Sequence, residues 1–388
     1  MHANPTALNA ATPRALPPRL DPWGRARRIV VVTLCLCAFP CTLSYVGAIA
    51  GPSNSSFVIR SFEWLRDHGA ASVASQIESV YYSLNAPATG GPALHKLLLG
   101  NRAGVAAPAV AGAHPPNISP VILPALPGEG VWAPRESWSG ADAPVQVTQF
   151  RTDTRYPRMV AGVAWINAAR TVISLNPGRL EPPVPSGPAG PIPRGTMEVP
   201  SAFRSRLLAT FNSAFKLSDS GGGFALNGIT YAPLHPGIAT LIHYRDGRVD
   251  VQAWSASQVP HGVDFARQNL PLIVQGGAPN PNLSDGAQWG ATLGNAVRVW
   301  RSGVGVDARG NLIYAAADAQ TVGSLAAILI RAGAVRAMEL DINSYWVTFI
   351  TYAQPLAAQP SSLLPSMTRG PERYLSPDDR DFFAVYLR

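Results

Sequence analysis

From Ile29 to Ala50 the chain runs without a single charged residue. About 20 apolar residues suffice to cross a bilayer, and the one proline in the run, Pro40, is tolerated in a membrane helix. Arg25, Arg27 and Arg28 stand immediately before it, and such a basic flank stays on the cytoplasmic side. The expectation is a single-pass cell-membrane protein whose lipid contact is residues 29–50. Residues 1–28, rich in Pro, Ala and Arg and without an apolar period, would be a disordered cytoplasmic tail. Ala48-Ile49-Ala50 before Gly51 also fits a signal-peptidase site. The long preceding tail favours an uncleaved signal anchor. Under either reading the remainder is extracytoplasmic.

Beyond the apolar run the texture changes twice. Phe62, Leu65, Val73, Ile77, Val80, Tyr81 and Leu84 recur at helical spacing. They predict one amphipathic helix over 62–84, within a juxtamembrane stalk at 51–85. Residues 86–120, dense in Pro, Gly and Ala, read as linker. From Val121 to Arg388 short β-rich runs alternate with turns, predicting the main domain. Val145–Phe150, Met159–Trp165, Thr171–Leu175, Leu207–Phe211, Ala239–Tyr244 and Leu312–Ala316 are among its strands. Ala296–Trp300 and Gly303–Asp307 read as two strands with Arg301 on a short turn between them, and Pro182–Gly195 as an exposed loop. Val322–Ala332 has one apolar face, Thr321 to cap its start and Gly333 to end it. A helix there, between the strands 312–316 and 335–340, predicts one parallel pair in a mainly antiparallel mixed sheet. The fold class is therefore α+β, strand-rich, with a crossover helix, preceded by a transmembrane helix.

Several chemistries drop out. The three cysteines, Cys35, Cys37 and Cys41, all fall inside the apolar run, which removes a disulfide framework, a thiolate zinc site and a cysteine nucleophile from the rest. His235, His243 and His261 lack metal-ligand spacing. The formal charge of +8 comes almost wholly from scattered arginines, with Lys96 and Lys216 the only lysines, so no basic patch suggests nucleic acid.

Polar groups concentrate at four strand ends. Asn212 and Lys216 precede Gly222 and Gly223, where glycines let a ligand approach the backbone; Asn212 could equally be a turn residue. Arg301 can fork onto a phosphate or carboxylate, or lie on the surface. Glu339 and Asp341 sit two apart at the end of an apolar strand and point to one face, with Asn343 and Trp346 following. Glu129 lies between Gly128 and Gly130 beside Trp132, as a sugar-reaching acid or a solvated loop carboxylate.

Phe211–Phe215, Arg301–Asp307 and Gly333–Asp341 resemble, in order and spacing, the three signature blocks of the phosphodiester glycosidase family. The family shows Asn-Gly-Gly-Phe-Phe, then Arg-Thr/Ser-Ala-Ile-Gly-Val-Asp, then a block ending Asn-Leu-Asp-Gly-Gly-Gly-Ser. Here the first becomes Asn212-Ser213-Ala214, and the glycines after Asp341 become Ile342-Asn343-Ser344-Tyr345-Trp346. Trp64–Gly69, Glu129–Trp132 and Arg373–Asp381 are similar to segments of a bacterial membrane-anchored subgroup. The resemblance implies a hydrolase of a sugar-1-phosphodiester in a cell-envelope glycan. Arg301 would bind phosphate, Asn212 would position the sugar or the bridging oxygen, and Asp341 would be general acid/base or ligand to a divalent metal. Glu129 or Glu339 would complete the carboxyl pair a glycosidase needs. The alternative is a non-catalytic glycan-binding or envelope-assembly protein that stacks sugars on Trp132, Trp289, Trp300 and Trp346.

Overall fold

The computed structural model describes residues 22–84, 87–91, 94–97, 115–134, 143–183, 190–194, 197–256, 259–290, 298–354 and 356–388. Most of the tail expected at 1–28, much of the expected linker, the centre of the 182–195 loop and the start of the strand expected at 296–300 lie outside them. The chain divides into two units, one ending at Gly51 and the other spanning Pro52–Arg388.

The first unit carries helix α1 (Pro22–Ala50), long and apolar enough to cross a membrane. It begins ahead of the expected span and takes in the three arginines. Cys35, Cys37 and Cys41 are free and exposed on it.

In the second unit, two helices replace the single one expected at 62–84: α2 (Phe57–Asp67) and α3 (Ala71–Leu84). The break falls at His68-Gly69, where Gly69 takes a φ of 87°, a left-handed conformation that ends helices cheaply only at glycine. The Ser56 side chain caps α2 by accepting from the Ile59 amide.

The strands that frame the site are β1 (Val145–Arg151), β2 (Val160–Ile166), β3 (Thr171–Asn176), β4 (Leu207–Asn212), β5 (Val263–Gln268), β6 (Val299–Val306), β7 (Leu312–Gln320), β8 (Arg336–Glu339), β9 (Phe349–Ala353) and β10 (Phe382–Leu387). They fall into three antiparallel sheets. The largest runs β1-β2-β7-β6-β8 through its centre. A second holds β9-β4-β10-β3, and a third places β5 beside Ala239–Tyr244. Phe211, Phe265, Val304, Tyr314, Met338, Phe349 and Phe383 meet in the main core that the three sheets share.

Two features differ from the sequence expectation. Val299–Val306 is one continuous strand, so Arg301 lies within a ladder opposite Ala317 rather than on a turn. The crossover helix α4 (Val322–Arg331) joins β7 to β8, but β6 inserts between them and pairs antiparallel with both. The expected parallel partners therefore never touch. The tight Asp307–Gly310 turn, with Gly310 at φ 81°, lets β6 return as β7 before the helix crosses. A Thr321–Ser324 capping box starts α4, and its buried Val322, Leu325, Ala326 and Leu329 cover the outer face of the large sheet. Gly303 has no room for a side chain: a Cβ would stand 3.0 Å from Leu329 of that helix.

Candidate functional site

Asp341 is placed by backbone first. Leu340 N–H donates to the Ser302 carbonyl at 2.8 Å, and Ser302 N–H returns a bond to the Asp341 carbonyl at 2.9 Å. Asn269 donates its amide to the carbonyls of Glu339 and Leu340 at 2.8 and 3.1 Å. The strand end is thus tied to two neighbours before any side chain acts. The Asp341 carboxylate then accepts from the Asn343 amide at 2.9 Å and from Arg380 Nη2 at 3.3 Å. Burial pushes its pKa above the usual carboxylate range, and the Arg380 guanidinium opposes that rise.

Although only 4% exposed, Asp341 lines a pocket of about 320 Å³, at the small end of the range for ligand sites. Lys216, Asn343, Trp346 and Arg380 share its wall, with Phe215, Leu270 and Ile342 as the apolar part and Arg66, Asp219 and Gln288 completing it. Arg380 also donates to the Ala214 carbonyl at 3.0 Å, while its buried Nε has no hydrogen-bond partner among the described residues.

Helix α2, expected as a stalk, is built into this wall. Lys216 Nζ lies 2.7 Å from Glu63 and 2.8 Å from Asp67, and Arg66 lines the pocket. Burial alone would lower the Lys216 ammonium, but Glu63 and Asp67 hold it above its usual range. Burial alone would likewise raise Glu63, yet Lys216 keeps it below the ordinary value. The preceding residues are fastened too. Ser53 Oγ donates to Asp379 at 2.5 Å, Asn54 N–H to the Pro377 carbonyl at 3.1 Å, and Arg369 to the Asn54 side-chain oxygen.

Other sequence candidates stand elsewhere. Arg301 is buried against Glu339 at 2.5 Å and donates to the carbonyls of Gln320 and Trp289 at 3.0 and 3.1 Å. Neither Arg301 nor Glu339 lines the pocket. Asn212 is 3% exposed; its amide donates to Ser302 Oγ at 3.0 Å, and its oxygen accepts from Tyr314 OH and Thr348 N–H. Gly222 and Gly223 serve close packing: a Cβ at Gly223 would stand 2.2 Å from the Pro233 carbonyl oxygen. Glu129 binds Arg151 through both oxygens and accepts from the Leu126 and Arg151 amides at 2.8 Å. Arg151 holds that carboxyl below its usual range against the effect of burial. Trp132, Trp289, Trp300 and Trp346 are all at least 94% buried, and three arginines lie over the Trp346 ring.

Residues 212–341 match the phosphodiester glycosidase family. The matched stretch opens at Asn212 and closes at Asp341, so it holds Lys216 and the carboxylate of the pocket but neither α2 nor Arg380. Among solved structures, the chain is similar to the catalytic domain of zebrafish N-acetylglucosamine-1-phosphodiester alpha-N-acetylglucosaminidase, auto-inhibited by its pro-peptide. Identity is 18% over 66% of this chain and 87% of that one, with a TM-score of 0.41. It is also similar to a hypothetical protein from Synechocystis, at 15% identity over 66% of this chain and 64% of that one, with a TM-score of 0.36. No curated protein sequence matches it.

The cations on the pocket wall are Arg66, Lys216 and Arg380. Among the described residues no three His, Cys, Asp or Glu side chains come together in a metal-holding group. Asp341 faces a guanidinium and backbone N–H groups, so the residues around it do not fit a divalent ion. Sequence reasoning missed Arg380, Glu63, Arg66 and Asp219 as members of the site. The Trp64–Gly69 and Arg373–Asp381 segments were visible as similar to a family subgroup, but nothing in their spacing showed that they meet across Lys216 and Asp341.

Proposed function

We propose that this protein is a hydrolase of a sugar-1-phosphodiester, held at the cell membrane by α1 with the Pro52–Arg388 unit outside the cytoplasm, acting on a cell-envelope glycan. The observation that carries the reading is Asp341: a buried carboxylate that still lines a one-sugar-sized pocket, held by Arg380 and the Asn343 amide. A carboxyl with a raised pKa on a rigid strand end suits proton transfer to the leaving oxygen. The guanidinium of Arg380 and the ammonium of Lys216 put two positive charges on the pocket wall, which suits a phosphate. Phe215, Leu270 and Ile342 give the sugar ring an apolar face. Asp219, the second carboxylate on the pocket wall, is the candidate partner in the pair that a glycosidase uses.

In this reading Arg301, Glu339 and Asn212 act as the frame that holds Asp341 in register, and Glu129 fastens a distant loop. The test is direct. The full chain in detergent, given a synthetic sugar-1-phosphodiester, should release free sugar and the phosphomonoester of the other half. Binding of the compound without release would support the glycan-binding alternative.

A further inference from the structure

A second buried carboxyl adjoins the site from outside the family match. The loop Gly178–Glu181 is clamped onto the segment that carries Arg380. Arg179 N–H donates to the Asp378 carbonyl at 2.9 Å, and the Leu180 and Glu181 amides donate to the Asp379 carbonyl at 3.0 Å. The fit is tight enough that a Cβ on Gly178 would stand 2.4 Å from the Arg380 carbonyl carbon. Arg194 holds the loop from the other end, donating to the Glu181 carbonyl at 3.1 Å.

The Glu181 side chain is 5% exposed, and its Oε2 has no hydrogen-bond partner among the described residues. The charges acting on it are Arg380 first, then Lys216, Asp381 and Arg267, with Arg194 also in its field. Most of these are engaged elsewhere: Lys216 by Glu63 and Asp67, Arg267 by Asp381 at 2.8 Å. Arg179 on the same loop is paired with Asp379 at 2.8 Å. Arg380 differs, because its Nε is unpartnered, as is Glu181 Oε2. Arg380 therefore stands under the influence of Asp341, which it touches, then of Glu181, and after them of Glu63 and Asp381, which are paired with Lys216 and Arg267. Burial outweighs the cations and pushes Glu181 up to about 7.

We propose that Glu181 is a positioning residue that acts through Arg380: its charge state sets how strongly Arg380 draws an anionic group into the pocket. With Glu181 neutral, the guanidinium is opposed by Asp341 and by the already paired Glu63 and Asp381, and attracts the anion. With Glu181 ionised, one more negative charge, itself without a cation in contact, offsets it and anion binding weakens. For the phosphodiester reading, on which the substrate part of this inference rests, the consequence is an alkaline limb in kcat/KM carried by KM rather than kcat.

The experiment uses the full chain in detergent, with sulfate as a probe whose own charge is constant over the range. Wild-type affinity for sulfate should fall several-fold, up to about tenfold, between about pH 5.5 and pH 8.5. Glu181→Gln should keep the low-pH affinity throughout, apart from any share due to Asp341. In parallel, difference infrared spectra of the wild type should show a protonated carboxyl band lost between the two pH values, and the loss should be smaller by one group in Glu181→Gln. An equal fall in sulfate affinity in the variant overturns the proposal. So does a wild type that binds no sulfate, or one whose carboxyl band does not change, a reading that needs no variant to fold. A failure to release sugar, with the sulfate and infrared results as expected, counts against the hydrolase and leaves Glu181 in its role.

Discussion

Arg301 and Arg380 are both buried guanidiniums, and each meets a carboxylate near the end of the same strand, β8. Their surroundings make them different devices. Arg301 lies 2.5 Å from Glu339 and donates from Nε to the Gln320 carbonyl and from Nη1 to the Trp289 carbonyl, which ties the end of β7 and the Trp289 turn together. Arg380 lies 3.3 Å from Asp341, two residues further on, where the wall opens into the pocket, and keeps Nε unpartnered. Burial pushes both carboxyls up and the neighbouring arginine opposes it in each. What separates structural ion pair from candidate site is where the guanidinium lies: Arg301 is closed inside the sheet, whereas Arg380 lines the pocket.

The comparison can be broken first at Asp341. Asp341→Asn keeps the Asn343 contact but removes the charge and the transferable proton, and should lower turnover of a sugar-1-phosphodiester by about 10²–10⁴-fold. Because the fold favours the protonated form of Asp341, its stabilising share is full below the ordinary carboxylate pKa and shrinks as pH rises through the raised one. The variant should therefore melt no lower than wild type at neutral pH. A large drop in melting temperature with full activity in the folded fraction would make Asp341 a frame residue like Glu339.

The second test falls on the frame. Arg301→Ala leaves Glu339 charged and buried without its partner, and should cost about 3–5 kcal/mol in denaturant unfolding. Replacing both residues with methionine should recover most of that loss. If Arg301→Ala is as stable as wild type and only binding suffers, the roles of the two arginines are exchanged.

The smallest effects belong to α2. Asp67 is half exposed, so Asp67→Asn should cost under about 1 kcal/mol. Glu63 is mostly buried and 2.7 Å from Lys216, so Glu63→Gln should cost about 1–3 kcal/mol. Since Lys216 depresses Glu63, its contribution is present above the usual glutamate pKa and lost as pH falls through the depressed one. Acid unfolding curves should thus show a shallower loss in Glu63→Gln. Equal curves for both variants and wild type would mean that α2 lies on the body without holding Lys216.

Strand-rich architecture, the crossover helix and the place of Asp341 at a buried strand end were legible because they rest on local signals: period-two alternation, a capping residue with an apolar face, and an acid ending an apolar run. Lys216, Asn343 and Trp346 were also picked out, and the structure brings them to the pocket of Asp341. Arg301 read as a turn residue because Arg and Ser interrupt the apolar pattern, yet a central strand can bury both when a facing carboxylate and carbonyls receive them. The insertion of β6 between β7 and β8 was invisible, since strand order depends on which edges are filled in three dimensions. The membership of Arg380 and α2 in the site needs contacts spanning more than 140 residues of sequence, such as Lys216 with Asp67, and no local pattern encodes those.

The docking of Ser53 and Asn54 has a mechanical consequence. The polypeptide leaving α1 is grasped almost at once by the Arg373–Asp379 segment, through Ser53 to Asp379 and Asn54 to Pro377 and Ser376. The start of the second unit and the stretch of chain next to Arg380 are therefore one fastened piece of structure, 326 residues apart in sequence at Ser53 and Asp379.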